Sequence, residues 1–332
     1  MNTKEWLEKA IQAEKKKAIP VLSFPSAPLL GITVKELISD SKMQAKGMKI
    51  IADRCDTWAA VSMMDLSVEA EAFGSDIVTD DNEVPTVTGS IIKTAADADN
   101  LKIPSVGAGR TGIYIETAKQ ARELITDRPV FSGTIGPFSL SGRLMDMTEI
   151  MTNCYIEPEM VHTTQKKSTQ FLIDYINEYK KTGVSGVFIA EPAAGLLSPA
   201  LIEEFSNPYI QEIIDNVQTD NFSVIYHNCG NVIPLMGSIK NITAHGYHFG
   251  NAIDISEALS LAAPDRVVMG NISPANEFRA GTPESVYQAT YSLLEKCSKH
   301  KNFIISSGCD IPPLSPWNNI DAFFKAVSDF YN

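Results

Sequence analysis

Apolar positions along this chain switch period repeatedly, and the switches alternate. Short contiguous apolar runs, the mark of buried strands, stand at 19–24, 57–64, 130–135, 186–190, 222–226, 246–249, 266–270 and 302–306. Between them apolar residues recur at three- and four-residue spacing. That spacing predicts helices over 33–55, 67–73, 116–126, 157–181, 199–219, 232–240, 255–262, 283–299 and 318–331. An amphipathic segment at 3–16, with Trp6, Leu7, Ala10 and Ile11 at helical spacing, precedes the first strand as a cap. Residues 75–115 break the rhythm: they are richer in Asp, Thr, Pro and Gly and read as an excursion over the barrel mouth. Eight strands, each followed by helix or excursion, predict a parallel α/β sheet closed as a (β/α)8 TIM barrel, with an open doubly wound sheet as the alternative. The expected organisation is a single barrel domain over 1–332, with 1–17 as its N-terminal helix.

A barrel of this kind carries its chemistry at the carboxyl ends of its strands. Those positions hold Asp65, Gly136-Pro137, Glu191-Pro192, His227 and Cys229, Gly250-Asn251, Gly270-Asn271 and Cys309-Asp310. His227 and Cys229 are two apart, so an extended backbone points both to one side. Cys309 follows another apolar run ending in glycine. One imidazole and two thiolates with a fourth position open is the pattern of a catalytic zinc rather than a structural one. The plainer alternative is a buried histidine with two inert core thiols. Ligand-capable groups at so many strand ends favour the metal. Glu191 ends the strand before the His/Cys strand and is a candidate fourth ligand, with proton donor or rim carboxylate as its other readings. Two thiolates reduce the Lewis acidity of a metal, which suits activation of a thiol or phenolate more than of water.

Composition narrows the partners. The 332 residues are 44% hydrophobic and carry a net charge of −12, from 40 acidic against 28 basic side chains. No Lys/Arg-rich face stands out, which argues against nucleic acid. Five scattered cysteines make no disulfide framework and suit a reducing compartment. With no apolar leader and no membrane-length run, a soluble cytoplasmic protein is expected. Gly107-Ala-Gly109-Arg-Thr-Gly112 spells the dinucleotide glycine pattern, but a polar, proline-interrupted stretch precedes it and a β-type run at Tyr114 is expected after it. It reads as a flexible loop. Glu69 and Glu71 would face different sides of a helix and form no acid/base dyad. His248 either reaches the pocket or is a satisfied core histidine.

The segments Met64–Gly74, Gly133–Phe138, Glu191–Pro199, His227-Asn-Cys229-Gly230, Gly270–Pro274 and Gly308–Pro312 resemble the uroporphyrinogen decarboxylase superfamily, specifically its zinc-dependent corrinoid methyltransferase branch. The similarity runs from about residue 18 over most of the chain, and the H-x-C…C pattern is its specific part. It implies a (β/α)8 barrel with a catalytic zinc. The decarboxylases carry an arginine-rich segment near the amino terminus. Here Ser23–Leu30 has no arginine, which argues against a tetrapyrrole polyacid, although Asp65 matches the pyrrole-binding aspartate.

Two roles compete within the branch. One moves methyl from a phenyl methyl ether to the Co(I) corrinoid of a separate protein, as in O-demethylases. The other moves methyl from methylcobalamin to a thiol such as coenzyme M or homocysteine. The apolar Phe24–Leu30 stretch and the lack of a cationic cluster favour the ether. On that expectation His227, Cys229, Cys309 and Glu191 hold Zn2+, and Glu191 or Asp310 is the catalytic acid. Asp65 and Glu69 orient ring substituents, Phe24 and Leu30 pack on the ring, and His248 and Asn251 line the substrate site. No D-x-H-x-x-G cobalamin signature is present, so the corrinoid is expected on a transiently docking corrinoid protein. Rivals of another class are a zinc hydrolase and a non-catalytic, zinc-stabilised binding protein.

Overall fold

The computed structural model describes residues 2–332. Its strands in chain order are β1 (Ala60–Val61), β2 (Asp76–Val78), β3 (Thr86–Thr88), β4 (Val130–Ile135), β5 (Gly186–Ala190), β6 (Ser223–Asn228), β7 (Gly246–Phe249), β8 (Val267–Ile272) and β9 (Phe303–Ser307). β1 and β4 to β9 pair in that order, all parallel, while β2 and β3 form a separate antiparallel hairpin. Every residue of the seven parallel strands is buried. That is why they read as continuous apolar runs rather than as alternations.

The segment Ala18–Val21 closes the ring. Ala18 bridges Thr57 in parallel. The Ile19 N–H donates to Ile305 O at 3.1 Å, the Val21 N–H to Ser307 Oγ at 3.1 Å, and the Ile311 N–H to Val21 O at 3.0 Å. Pro20 has no N–H to give, so this eighth position is a set of bridging contacts, not a regular ladder. The strand expected over 19–24 ends early for a second reason. Ser26–Leu30 folds into a short helix closed by Gly31 at φ +68°, in the left-handed region that favours glycine.

That turn also bears on two expectations about the mouth and corrects the one for Phe24. Phe24 is 0% exposed in the core, and Leu30 is half-buried against the same cluster. Phe24 thus has no face open to a ligand, and Leu30 keeps only part of one.

An inner core fills the barrel with Val21, Val61, Phe131, Phe188, Ile225, Val267, Met269 and Ile304. The expected N-terminal helix, Thr3–Gln12, inserts Leu7, Ala10 and Ile11 into this core and sets Trp6 6.1 Å from Phe131. Its start is tied to the loop before β6, where the Lys4 N–H donates to Asp220 O at 3.0 Å and Thr3 Oγ1 donates to Asn221 O at 3.1 Å. The helix therefore plugs the amino-terminal end of the barrel and leaves the carboxyl end for chemistry. Burying Leu7 and Ile11 contributes about 1.5–3 kcal/mol each.

The helix expected over 33–55 divides at Asp40, whose extended backbone and side chain cap Ser41–Arg54. The one expected over 199–219 divides at Ser206, just before Pro208. Two helices, Pro137–Met145 and Met147–Ile156, follow β4 where none was expected. The excursion holds the β2–β3 hairpin and a helix, Ala95–Asn100. It lies against the barrel through Ile91 and Ile92, whose N–H groups donate to Leu144 O at 2.9 and 3.0 Å. Among the described residues, no helix is long and apolar enough to cross a membrane.

Candidate metal centre

His227 is the penultimate residue of β6, in register with Ala190 of β5 and His248 of β7. Beyond it the Asn228 side chain shapes the turn. Its Oδ1 accepts from the Gly230 N–H at 2.9 Å, and its Nδ2 donates to Glu191 O at 2.9 Å. Cys229 sits at the apex of that turn, against Gly250 at the end of β7. A Cβ on Gly250 would lie 2.5 Å from the Cys229 Cα, so only glycine lets the two backbones approach this closely. Cys309 follows β9 past Gly308. The ligand atoms of His227, Cys229 and Cys309 all lie within 4.8 Å of one another, and His227 Nε2 is 3.5 Å from Cys309 Sγ.

A chain of hydrogen bonds sets which nitrogen of His227 is free. Ser306 Oγ donates to Ile19 O at 2.7 Å, so it accepts from His248 Nε2–H at 2.8 Å. His248 Nδ1 is then without a proton and accepts from His227 Nδ1–H at 2.7 Å, a proton also directed at His248 O, 3.1 Å away. His227 Nε2 is left with its lone pair facing the two sulfurs, as a metal ligand requires. Burial, and after it the neighbouring His227, holds the His248 imidazole well below the usual histidine range, so it stays neutral. His248 is 0% exposed with both ring nitrogens engaged. It is a core-satisfied histidine that supports His227.

The two thiols are hydrogen-bonded to each other. That bond lowers Cys229 to about 4, while Cys309 is held well above its ordinary value by the same bond and by burial. Burial pushes the remaining cysteines the other way: Cys55 and Cys154 up to about 12 and Cys297 up to about 11. Those three are inert core thiols; the pair at the mouth is the thiolate-bearing one. A convergent imidazole lone pair and two soft sulfurs fit a zinc ion.

The carboxylates take other positions. Glu191 is fully buried and its oxygens accept from the Phe138 N–H at 3.0 Å and the Ser139 N–H at 2.6 Å, at the start of helix Pro137–Met145. The structure therefore leaves Glu191 out of the His/Cys group, because its oxygens are drawn to a helix N-terminus. A side chain on Gly136 would meet that carboxylate at 2.5 Å. Burial raises Glu191 to about 7.

Asp310 accepts from the Met64 N–H at 2.7 Å through Oδ2, while Oδ1 is buried without a partner, and burial raises the group to about 8. Glu69 accepts from Thr134 Oγ1 at 2.6 Å and the Ile135 N–H at 3.2 Å, leaves Oε2 unpartnered, and is raised by burial to about 7. Asn251 is exposed and packs against Gly308, beside Cys309.

Asp65 is engaged within the protein rather than presented to a ligand. It is ion-paired with Arg110 and accepts from Tyr114 OH at 2.8 Å and Ser67 Oγ at 2.5 Å. Arg110 also pairs with Glu71 at 2.7 Å. The glycine-rich stretch is a run of turns, the loop that its sequence predicts. It pins Arg110 to the barrel mouth and opens a helix at Thr111, ahead of the start expected at 116. Arg110 and Tyr114 were not anticipated. A lone arginine within a glycine run was their one signal.

A family model for uroporphyrinogen decarboxylase (URO-D) matches residues 3–330. A methylcobamide:CoM methyltransferase of Methanosarcina acetivorans is 25% identical over 270 residues, 80% of this chain and 78% of that protein. A uroporphyrinogen decarboxylase of Anaeromyxobacter sp. is 26% identical over 286 residues, covering 82% and 80%. Among solved structures, a methyltransferase from Methanosarcina mazei superposes with a TM-score of 0.87 at 23% identity, over 100% of this chain and 99% of that one, which shows the shared fold. With the match spanning nearly every residue, the chain belongs to the uroporphyrinogen decarboxylase family.

Proposed function

We propose that this chain is a zinc- and corrinoid-dependent methyltransferase that passes a methyl group from the methylcorrinoid of a separate, transiently docking protein to a thiol. The observation that carries this reading is the convergence of His227 Nε2, Cys229 and Cys309 within 4.8 Å at the open end of the barrel. Those three residues would hold the metal. Bound there, zinc supplies an open Lewis-acidic position that lowers the pKa of an incoming thiol.

The chain's own residues do the rest. His248 and Ser306 keep the His227 lone pair available, the Asn228 turn and Gly250 place Cys229, and the plugged barrel admits substrate from one end only. In the transfer the thiolate sulfur forms a bond to the methyl carbon as the carbon–cobalt bond breaks. The electron pair stays on cobalt, which leaves as Co(I), and the thiol proton goes to solvent.

The thiol is preferred over an aryl ether for two reasons. Phe24, one of the two proposed ring-packing residues, is fully buried in the core, and Leu30 is partly buried against it. Similar proteins also bear names that specify CoM or methylated thiols. One observation keeps the ether as a second reading. Glu69 and Glu191 are buried carboxyls raised to about 7, and such groups can protonate a departing phenolate.

The test pairs metal content with turnover. Cys229→Ser and Cys309→Ser should each lower zinc content about tenfold or more and abolish thioether formation from methylcobalamin and a short thiol. Full zinc in both variants overturns the site. Methyl-cobalt forming from a methoxyarene and Co(I) corrinoid, without thioether formation in the thiol assay, replaces the thiol with the ether.

A further inference from the structure

Arg54, Arg110, Arg122, Arg128, Arg266 and Arg279 each donate to a carboxylate or a backbone carbonyl. Arg143 does not: among the described residues it has no hydrogen-bond or ion-pair partner. It lies in the last turn of helix Pro137–Met145 and is half-buried. Arg143 lines a cavity of about 140 Å3 together with Met64, Leu66 and Ser67 from the barrel mouth and Val84 and Val87 from the excursion hairpin. No acidic side chain lines this space. Burial alone disfavours its charge, and no opposing group offsets that cost.

A guanidinium carries its donors in a fixed fork that matches planar or tetrahedral oxyanions. Leaving it partly desolvated and without a protein partner costs free energy that an incoming anion recovers. The cavity is also tied to the metal ligands: Met64, one of its walls, donates its N–H to Asp310 Oδ2 at 2.7 Å, and Asp310 is bonded to Cys309.

We propose that Arg143 binds the anionic end of the methyl-accepting or methyl-donating substrate, a sulfonate or carboxylate held beneath the hairpin while the reacting end reaches the His227–Cys229–Cys309 group. This rests on the methyl-transfer reading above for its biological meaning, while the binding arm of its test does not depend on turnover. The probes are two thiols of similar length, 2-mercaptoethanesulfonate and uncharged 2-mercaptoethanol. Two methoxyarenes, 4-hydroxy-3-methoxybenzoate and uncharged 2-methoxyphenol, form the second pair. Each is titrated calorimetrically into zinc-loaded protein.

In at least one pair the charged member should bind about tenfold more tightly or better. Arg143→Gln should erase that preference while leaving the uncharged member within about twofold, and Arg143→Lys should restore part of it. Unchanged far-UV circular dichroism and melting establish that the variants are folded. An anion preference that persists in Arg143→Gln, or none in either pair for the wild type, overturns the assignment. Preference confined to the methoxyarenes keeps Arg143 and removes the thiol reading. Thioether formation from 2-mercaptoethanol without any anion preference does the reverse.

Discussion

Ser306 touches no substrate, yet the state of His227 depends on it. Because its hydroxyl is committed to Ile19 O, it accepts from His248, and the proton order along the chain follows. Removing the ordering group leaves only the longer contact to His248 O to hold the Nδ1–H form of His227. In Ser306→Ala and His248→Phe, zinc affinity should fall about 10- to 100-fold. Nitrogen-15 spectra of metal-free protein should show the Nδ1–H form of His227 giving way to a mixture. Retention of a pure Nδ1–H form in both variants would show that the chain does not set it.

Glu69 makes a second prediction at this scale. Burial raises it from 4.5 to about 7 in the folded protein, so the fold prefers it protonated. The sign follows: its favourable contribution is fully present below about 4.5 and is lost as pH rises through about 7. A shift of that size corresponds to roughly 3 kcal/mol. Urea titrations of Glu69→Gln against the parent should therefore show the variant gaining relative stability between pH 5 and 8. A difference that is flat with pH sinks the assignment.

Among the elements, legibility tracked how local the determining force was. The barrel strands could be read because burial on both faces writes itself as an apolar run, and helix Pro158–Lys181 because its stripe is long and regular. His227, Cys229 and Cys309 were readable because strand ends and soft ligands are both sequence-local features. The eighth wall segment was half-read, since Pro20 conceals how the chain pairs there. Arg110 was missed because its partner Asp65 lies 45 residues away, and no local period announces a distant ion pair. Glu191 stood at the expected strand end, but the helix that captures its carboxylate was not anticipated.

Two substitutions test these placements. Phe24→Ala should cost about 3–5 kcal/mol in stability while leaving KM within a factor of two, as a core residue does; a large rise in KM with unchanged stability returns Phe24 to the substrate. Gly250→Ala forces the β7 end away from Cys229 and should lower zinc occupancy with little change in circular dichroism. Full occupancy contradicts the close-approach argument.

At the scale of the molecule, the inner core, the N-terminal plug and the closed ring are built from apolar packing and backbone hydrogen bonds. A thousandfold excess of free zinc over its Kd adds about 4 kcal/mol, so chelation should lower Tm by less than about 10 °C in a chain of this size. Activity should vanish while the circular dichroism of the cold protein is unchanged. Collapse on chelation favours the structural-zinc rival instead.

The seam that closes the barrel is also where the hydrogen-bond chain behind His227 ends. Ile19 and Ser306 are 287 residues apart, so the ribosome releases them at opposite ends of synthesis. Until the final strand docks beside Ala18–Val21, Cys309 is not in place and nothing orders the histidine pair. On the zinc reading proposed above, nascent or half-assembled chains hold the three ligands apart, so metal uptake at this site is expected to follow closure of the seam. Zinc content per chain should then rise with the fraction of molecules whose seam has closed.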